Sequence, residues 1–278
     1  MKNSLMKSSY IVAPAPEGYH VGLTGDFGKN VEYLAGLGFE GIELALRDIT
    51  SVDGKEIRET VKRYGLQIPA MLGTGRRLKE QGLFLCEKDK DIRRRAIEGL
   101  KQSIDFSGEV GTNCIAGQCL GNYEKSTYED DFSYAVESLY ECAEFAKERN
   151  TVILVEPLDR FFPALIRTVQ DGIRLIDSIG LDSVKLCLDT FHMNIEEESV
   201  TGGIIQAKSY TGHVHIADDD RRAPGQGHMD LKEILRVLEE IGYQGFISAE
   251  LTSEVDQVEG AVLAMDFFKS TLSAQKKA

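Results

Sequence analysis

Short runs of β-branched and other apolar residues alternate with longer amphipathic segments along the whole chain. Eight runs have the length and composition of buried strands, at residues 10–14, 41–46, 67–72, 113–117, 152–156, 184–189, 213–217 and 245–250. Between them, residues 132–147 illustrate the helical spacing, with small and apolar residues at steps of three and four: Ala135, Leu139, Cys142, Ala143 and Ala146. The pattern therefore predicts eight strand-then-helix units.

Eight units in 278 residues give about 35 residues per unit, which is the repeat expected of a (β/α)₈ TIM barrel. Parallel strands need a crossover helix after each strand, and glycines that end helices follow several of the amphipathic segments. No Pro/Ser-rich linker divides the chain, so a single domain over residues 1–278 is predicted. An open doubly wound sheet ranks second, because no GxGxxG motif follows the first strand.

Composition and charge argue against two classes of protein, disordered proteins and nucleic-acid-binding proteins. Hydrophobic residues make up 42% and charged residues 28% of the chain, which is a globular balance that excludes a disordered protein. The net charge of −13 opposes binding to nucleic acid. The basic stretches at residues 76–77 and 93–95 are typical of solvated helix faces, although such a stretch could also bind a phosphate.

The five cysteines form no CxxC pair, and the N-terminal segment has no continuous apolar stretch of signal-peptide length. No window approaches the roughly 20 apolar residues of a membrane span. We therefore expect a cytoplasmic protein with reduced thiols that does not bind a membrane.

Four successive predicted strands carry a residue able to bind a metal at or near their C-terminal ends. These residues are separated by 33, 26 and 35 positions, about one βα unit each: Glu156, Asp189, His215 and Glu250. In a TIM barrel the C-terminal ends of the strands form the active-site mouth. An acid that closes a strand is by itself more often a solvated residue or a helix cap, but four such residues on consecutive strands indicate a shared site.

Three carboxylates at one poorly solvated site would repel one another unless a divalent cation neutralised them. Three oxygen donors and one imidazole suit a hard or borderline ion. One Mn²⁺ ion is favoured, with Mg²⁺ or Co²⁺ as alternatives. Structural zinc prefers cysteine-rich tetrahedra, which no cysteine spacing in this chain offers.

Further polar residues are candidates for substrate binding. His192 lies three residues after Asp189, and Arg221 lies in a turn-rich loop after the seventh strand. Their side chains could orient substrate oxygens, whereas the alternative is that His192 caps a strand end and Arg221 pairs with neighbouring aspartates in solvent. His228 and Glu43 are weaker candidates: one could simply sit in the loop, and the other could pair with a neighbour.

The pattern resembles the sugar isomerase and epimerase superfamily of xylose-isomerase-like barrels, and within it the ketose 3-epimerases that act on tagatose, psicose and related sugars. The resemblance covers nearly the whole chain and is most specific over residues 156–250. It implies that the four residues at the strand ends bind the metal and that Glu156 and Glu250 also act as acid/base catalysts. It further implies that His192 and Arg221 contact the substrate near its reacting carbons, and that the protein forms a dimer or tetramer.

One departure from that family concerns substrate identity. Many free-ketose epimerases read NRFE after the first ligand, whereas this chain reads LDRFFP, which places Phe162 at the position of an acidic, substrate-contacting residue. A sugar phosphate, or a shorter or deoxygenated sugar, is therefore also a candidate substrate.

The resemblance and the residues together predict a metal-dependent epimerase that inverts C3 of a ketose, free or phosphorylated. A cation chelating the C2 carbonyl and the C3 hydroxyl would stabilise the developing enediolate, while two opposed glutamates move the proton. An aldose–ketose or hydroxypyruvate-type isomerase could use the same site. More distant alternatives are an abasic-site endonuclease, which would need several metals and more than the five histidines present, and a sugar-binding barrel without catalytic activity.

Overall fold

The computed structural model describes residues 6–14, 21–162, 164–252, 254 and 256–272. Within them, eight parallel strands pair in sequence order and close into a barrel. The strands are β1 (Lys7–Val12), β2 (Gly41–Ala45), β3 (Ala70–Leu72), β4 (Asn113–Ala116), β5 (Ile153–Val155), β6 (Val184–Asp189), β7 (Thr211–Ile216) and β8 (Phe246–Ala249). The predicted (β/α)₈ barrel is confirmed, and the predicted domain limits of 1–278 include terminal residues outside the described ranges.

The helices of the described residues surround the barrel. They are α1 (Phe27–Leu37), α2 (Gly54–Arg63), α3 (Thr74–Glu80), α4 (Lys90–Val110), α5 (Tyr128–Glu148), α6 (Val169–Ile179), α7 (Thr190–Glu196), α8 (Val200–Gln206), α9 (Leu231–Glu240) and α10 (Gln257–Leu272). Aspartates begin several of them: the Asp26 carboxylate accepts from Lys29 N at the start of α1. Gly38 ends the same helix in the left-handed conformation, with φ of 102°. None of these helices has both the length and the apolar composition that crossing a bilayer requires.

The strand boundaries differ from the predicted ones mainly in the first half of the chain. β1 begins at Lys7 rather than at residue 10, because Ser9 pairs into the barrel and its Oγ lies 2.6 Å from Ser248 Oγ. The third strand is shorter than predicted, since Gln67 forms only an isolated bridge with Gly41. The predicted helix over residues 132–147 lies within α5.

The largest apolar cluster includes residues from both the strands and the surrounding helices. A separate small cluster consists of Ala70, Ile115, Leu154 and Cys187, from four successive strands. Ile115 of this cluster also lines the cavity at the mouth of the barrel. The barrel interior is therefore a packed support for the mouth rather than a channel.

Candidate active site

Four strand ends bring the predicted metal ligands together. Glu156 directly follows β5, Asp189 ends β6, His215 lies near the end of β7 and Glu250 directly follows β8. One donor atom from each lies within 4.8 Å of the others. Strand pairing explains this convergence, since the carboxyl ends of neighbouring parallel strands open onto the same mouth.

The His215 ring is held so that one nitrogen faces the carboxylates. Its Nδ1 lies 3.0 Å from Glu156 Oε1 and 2.9 Å from Glu250 Oε2. Its Nε2 lies 2.9 Å from Glu43 Oε1 on the other side. A ring N–H donated to Glu43 leaves the Nδ1 lone pair free for a metal ion, which is the usual role of a carboxylate behind a ligating histidine.

The electrostatics of the group fit a cation. Glu250 Oε2 is buried and makes no hydrogen bond, although His215 Nδ1 and Arg221 Nη2 each lie 2.9 Å away. Burial alone would lower the pKa of His215, but Cys187, Glu43 and Glu250 raise it well above its usual value. The raised pKa of His215 reports negative charge around its ring, and Glu250 Oε2 is an acceptor that a divalent cation could contact. The three carboxylates and the imidazole therefore form a group that can hold a metal ion.

Cys187 also lies within reach of Glu156 and His215. Burial raises the pKa of this thiol well above its usual range. The thiolate is the form that binds metals, so the protonated Cys187 is a poor ligand compared with the carboxylates.

Glu43 lies behind His215 and not at the cavity. Its side chain is fully buried, and its Oε2 lies 2.8 Å from His213 Nε2. Burial would raise the pKa of Glu43, but His215 and His213 lower it to about 2. Glu43 is absent from the described residues that line the cavity, so its position does not fit the predicted substrate contact. Sequence reasoning missed His213, although its two-residue spacing from His215 puts both rings on the same face of β7.

His192 lies in the wall of the cavity, as predicted. Its Nδ1 lies 2.6 Å from Asp159 Oδ2, and its Nε2 lies 3.5 Å from Asp189 Oδ2. Burial lowers the pKa of His192, but the neighbouring Asp189 and the bond to Asp159 raise it above its usual value. Asp159, in the LDRFFP segment, is therefore the residue that orients His192, a role that sequence reasoning did not assign.

The loop after β7 places the Arg221 side chain in the site. Its Nη2 lies 3.1 Å from Asp189 Oδ2, and its backbone is left-handed, with φ of 60°. Asp218 stabilises this loop, because its carboxylate accepts from Gly225 N at 2.9 Å. The guanidinium therefore pairs with residues of the metal-ligand group, and the alternative of pairing with loop aspartates in solvent does not apply.

His228 lies on the surface of the same loop. Its side chain is 92% exposed, and its Nδ1 lies 3.2 Å from Asp219 Oδ2. It is not among the described residues that line the cavity. The predicted substrate contact through His228 therefore does not fit its position, since the loop turns the ring outward.

Three of the predicted ligands, Glu156, His215 and Glu250, line one end of a cavity of about 280 Å³, a size suited to a small molecule. Its remaining wall includes apolar side chains, namely Val21, Leu72, Ile115, Leu158 and Phe162. The Phe162 ring meets the His192 ring edge-on, with centroids 5.3 Å apart. Gly73, Gly75 and Gly117 contribute backbone without side chains, and Arg76, Gln118 and Thr252 complete the wall.

Comparison with known proteins gives the family. A family profile described as "Xylose isomerase-like TIM barrel" matches residues 31–271. The chain is 32% identical to a D-psicose 3-epimerase of Ruminiclostridium cellulolyticum, over 81% of this chain and 78% of that protein. It is 28% identical to a 3-dehydro-D-guloside 4-epimerase of Escherichia coli, over 80% of this chain and 86% of that protein.

A solved structure of D-psicose 3-epimerase from Clostridium cellulolyticum H10, with D-tagatose, superposes with a TM-score of 0.80 at 24% identity. The match covers 96% of this chain and 99% of that chain, and it supports the fold. Epimerases are isomerases, so the relatives confirm the predicted enzyme class. By its profile match and its sequence identity, the chain belongs to the xylose isomerase-like TIM barrel family.

Proposed function

We propose that the protein is a metal-dependent ketose 3-epimerase in which one of Glu156 and Glu250 removes the C3 proton from one face of the sugar and the other donates a proton to the opposite face. The observation that carries the proposal is the convergence of three carboxylates and one imidazole within 4.8 Å at the mouth of the barrel. The 32% sequence identity to a D-psicose 3-epimerase supports C3 as the carbon whose configuration is inverted.

Inversion next to a ketone requires removal of a proton from one face of the sugar and its return to the other. Glu156 and Glu250 come from β5 and β8, which are three strands apart, so they can approach a sugar from two sides. One removes the C3 proton and the other returns it, and the roles exchange with the direction of reaction. Arg221 and His192 donate hydrogen bonds to the oxygens on which charge develops.

The metal would be held by Glu156, Asp189, His215 and Glu250. When bound, it supplies Lewis-acid polarisation of the ketone, which makes the C3 proton more acidic. Mn²⁺ is the ion that we propose, with Mg²⁺ or Co²⁺ as alternatives on the same donor set. A homo-oligomeric state and a cytoplasmic location stay predictions from the sequence.

Solvent deuterium incorporation tests the proposal. D-Tagatose and other ketoses are incubated in D₂O with the Mn²⁺-treated protein, and the label is located by NMR. We expect deuterium at C3 together with the C3 epimer, and loss of both after a chelator removes the metal. Label at C1 with an aldose product would instead identify an aldose–ketose isomerase.

A second candidate reaction follows from the similarity to a 4-epimerase. Label at C4 of a 3-keto sugar would identify that reaction, which uses the same acid/base chemistry one carbon further along.

Phe162 in the cavity wall offers no polar atom, so the screen includes deoxygenated and shorter ketoses as well as phosphates. A gel shift with abasic DNA tests the endonuclease alternative, against which the net charge of −13 argues. Stabilisation by sugars without turnover would indicate a binding protein.

A further inference from the structure

The wall of the cavity that faces the candidate metal ligands carries polar groups that the proposed reaction does not use. In the closed ring of eight strands, β3 and β4 lie opposite β7 and β8. Arg76 in α3, after β3, and Gln118, after β4, line the cavity on this side. A sugar held at the metal ligands would direct its remote end toward these two residues.

The Gln118 amide is oriented by a neighbouring lysine. Lys79 Nζ lies 3.3 Å from Gln118 Oε1. An ammonium group only donates hydrogen bonds, so the amide oxygen must face Lys79. The two N–H donors of the Gln118 amide then remain for another acceptor.

Arg76 contributes charge to the same end. Its Nε lies 3.1 Å from Glu80 Oε1, and Arg47 pairs with the other oxygen of the same carboxylate. Lys79, whose Nζ contacts the uncharged Gln118 amide, adds a positive charge on the same side. This local excess of positive charge stands out in a chain with a net charge of −13. It indicates a preference for an anion at this end.

Glycines keep the space between the two ends open. Gly73, Gly75 and Gly117 line the cavity here and present only backbone. A Cβ at Gly75 would lie 3.1 Å from Gln118 N, which shows how closely α3 packs on the loop after β4. A ligand can therefore extend from the metal ligands to Arg76 and Gln118 without meeting an intervening side chain from these positions.

We propose that Arg76 and Gln118 bind a carboxylate or phosphate at the end of the ketose remote from the reacting carbonyl. The inference rests on the proposed epimerase function for the rest of the ligand, and it makes the substrate class an acidic ketose. Carboxylate and phosphate oxygens are strong acceptors, and their bonds to a guanidinium are charge-assisted. Both anions share this chemistry, so the test includes both.

The experiment compares three sugars that differ only at C6: D-fructose, its 6-phosphate and the corresponding 6-carboxylate. Binding to the Mn²⁺-treated protein is measured by calorimetry, and exchange at C3 is measured in D₂O. We expect at least one anionic sugar to exceed D-fructose in binding and in kcat/KM by about tenfold, as for one charge-assisted contact at a partly exposed site.

Arg76→Gln removes the charge, and Arg95→Gln is the matched control, since Arg95 is exposed on α4, outside the cavity lining. We expect the ratio of the affinity for the anionic sugar to the affinity for D-fructose to fall to near one in Arg76→Gln and to be unchanged in Arg95→Gln. Equal or better binding of D-fructose, or an anion preference that Arg76→Gln leaves unchanged, overturns the proposal.

The two measurements separate the two proposals. Arg76-dependent binding of an anionic sugar without exchange at C3 would contradict the epimerase function and leave the anion subsite standing. Exchange at C3 of D-fructose alone, without preference for either anion, would leave the epimerase and remove the subsite. Absence of binding by all three sugars counts against both.

Discussion

The two halves of the barrel mouth differ in the chemistry of their walls. The half formed by β5 to β8 carries Glu156, Asp189, His215 and Glu250, with His192 and Arg221 beside them. The half formed by β1 to β4 contributes apolar residues, three glycines, Arg76 and Gln118. Groups that can hold a metal or move a proton are thus concentrated on one side, and groups that can only contact a ligand lie on the other.

One residue links the halves. Glu43 belongs to β2, yet it reaches across the interior to His215 Nε2 at 2.9 Å. Under the proposed function, the β5–β8 wall would carry the reacting groups and the β1–β4 wall would contact the rest of the ligand, with one buried carboxylate crossing between them. Substitutions in the β5–β8 half should therefore reduce kcat or metal binding, and substitutions in the β1–β4 wall should raise KM.

The largest effect is expected from Glu250→Gln and Glu156→Gln. Each removes a proposed acid/base group, and such groups typically contribute about 10²–10⁴-fold to the rate. We expect kcat to fall in this range, with C3 exchange measured by NMR. Glu98→Gln, on the exposed face of α4, is the control and should keep normal activity. Full activity of Glu250→Gln in the presence of metal would contradict the two-base mechanism.

The next effect concerns Glu43→Gln. An amide in this position is a weaker hydrogen-bond acceptor for His215 Nε2 than the carboxylate is. Loss of a carboxylate partner behind a metal-binding histidine typically lowers metal affinity about 10- to 100-fold. Calorimetric titration with Mn²⁺ measures the affinity, and the melting temperature of the chelator-treated protein reports on folding. Glu32→Gln, on the exposed side of α1, is the matched control. An unchanged Mn²⁺ affinity would show that His215 keeps its orientation without Glu43.

A smaller effect is expected from Asp159→Asn. The substitution keeps the shape of the side chain but removes the charge 2.6 Å from His192 Nδ1, so the ring becomes a weaker donor toward the cavity. We expect kcat to fall by about tenfold with little change in melting temperature. Asp182→Asn, on the surface, is the control. A change in KM alone would place His192 in binding rather than in stabilisation of developing charge.

The smallest effect tests the β1–β4 wall. In Gly75→Ala the new methyl group would lie 3.1 Å from Gln118 N, so the loop after β4 must shift by a few tenths of an ångström. We expect KM to rise by about threefold while kcat changes little, since the displaced atoms only contact the ligand. Gly36→Ala is the control: nothing lies within 4 Å of its Cβ position, and alanine is the better helix former there. A large loss of kcat in Gly75→Ala would break the division between the two walls.

Much of the fold was predictable from the sequence because its signal is periodic. The limits of β6 agree with the predicted ones, and those of β2 and β4 differ by one residue at one end. β1 was predicted three residues too late, because Lys7, Ser8 and Ser9 read as polar although Ser9 packs against Ser248 inside the barrel. Buried polar side chains that hydrogen-bond to each other cannot be distinguished from loop residues by sequence alone.

The candidate site was predictable in part, for a related reason. Glu156, Asp189, His215 and Glu250 sit at corresponding points of successive repeats, so their convergence follows from the barrel itself. The Asp159–His192 contact joins a loop to a helix. It does not recur from one strand-helix unit to the next, so the spacing of the units could not predict it. His228 is a candidate because its loop could bring it to the mouth of the barrel, and only the course of the loop turns it to solvent.

By itself, the sequence determined the barrel, the order of its strands and which strand ends carry residues able to bind a metal, since each depends on local periodicity and on spacing by one repeat. The tertiary structure placed the Glu43 carboxylate against His215, although 172 positions separate them. It also decided which polar groups share the cavity with the ligands. The physical reason is that contacts across a closed barrel depend on where separate strands and loops meet in space, and spacing along one chain does not encode that distance.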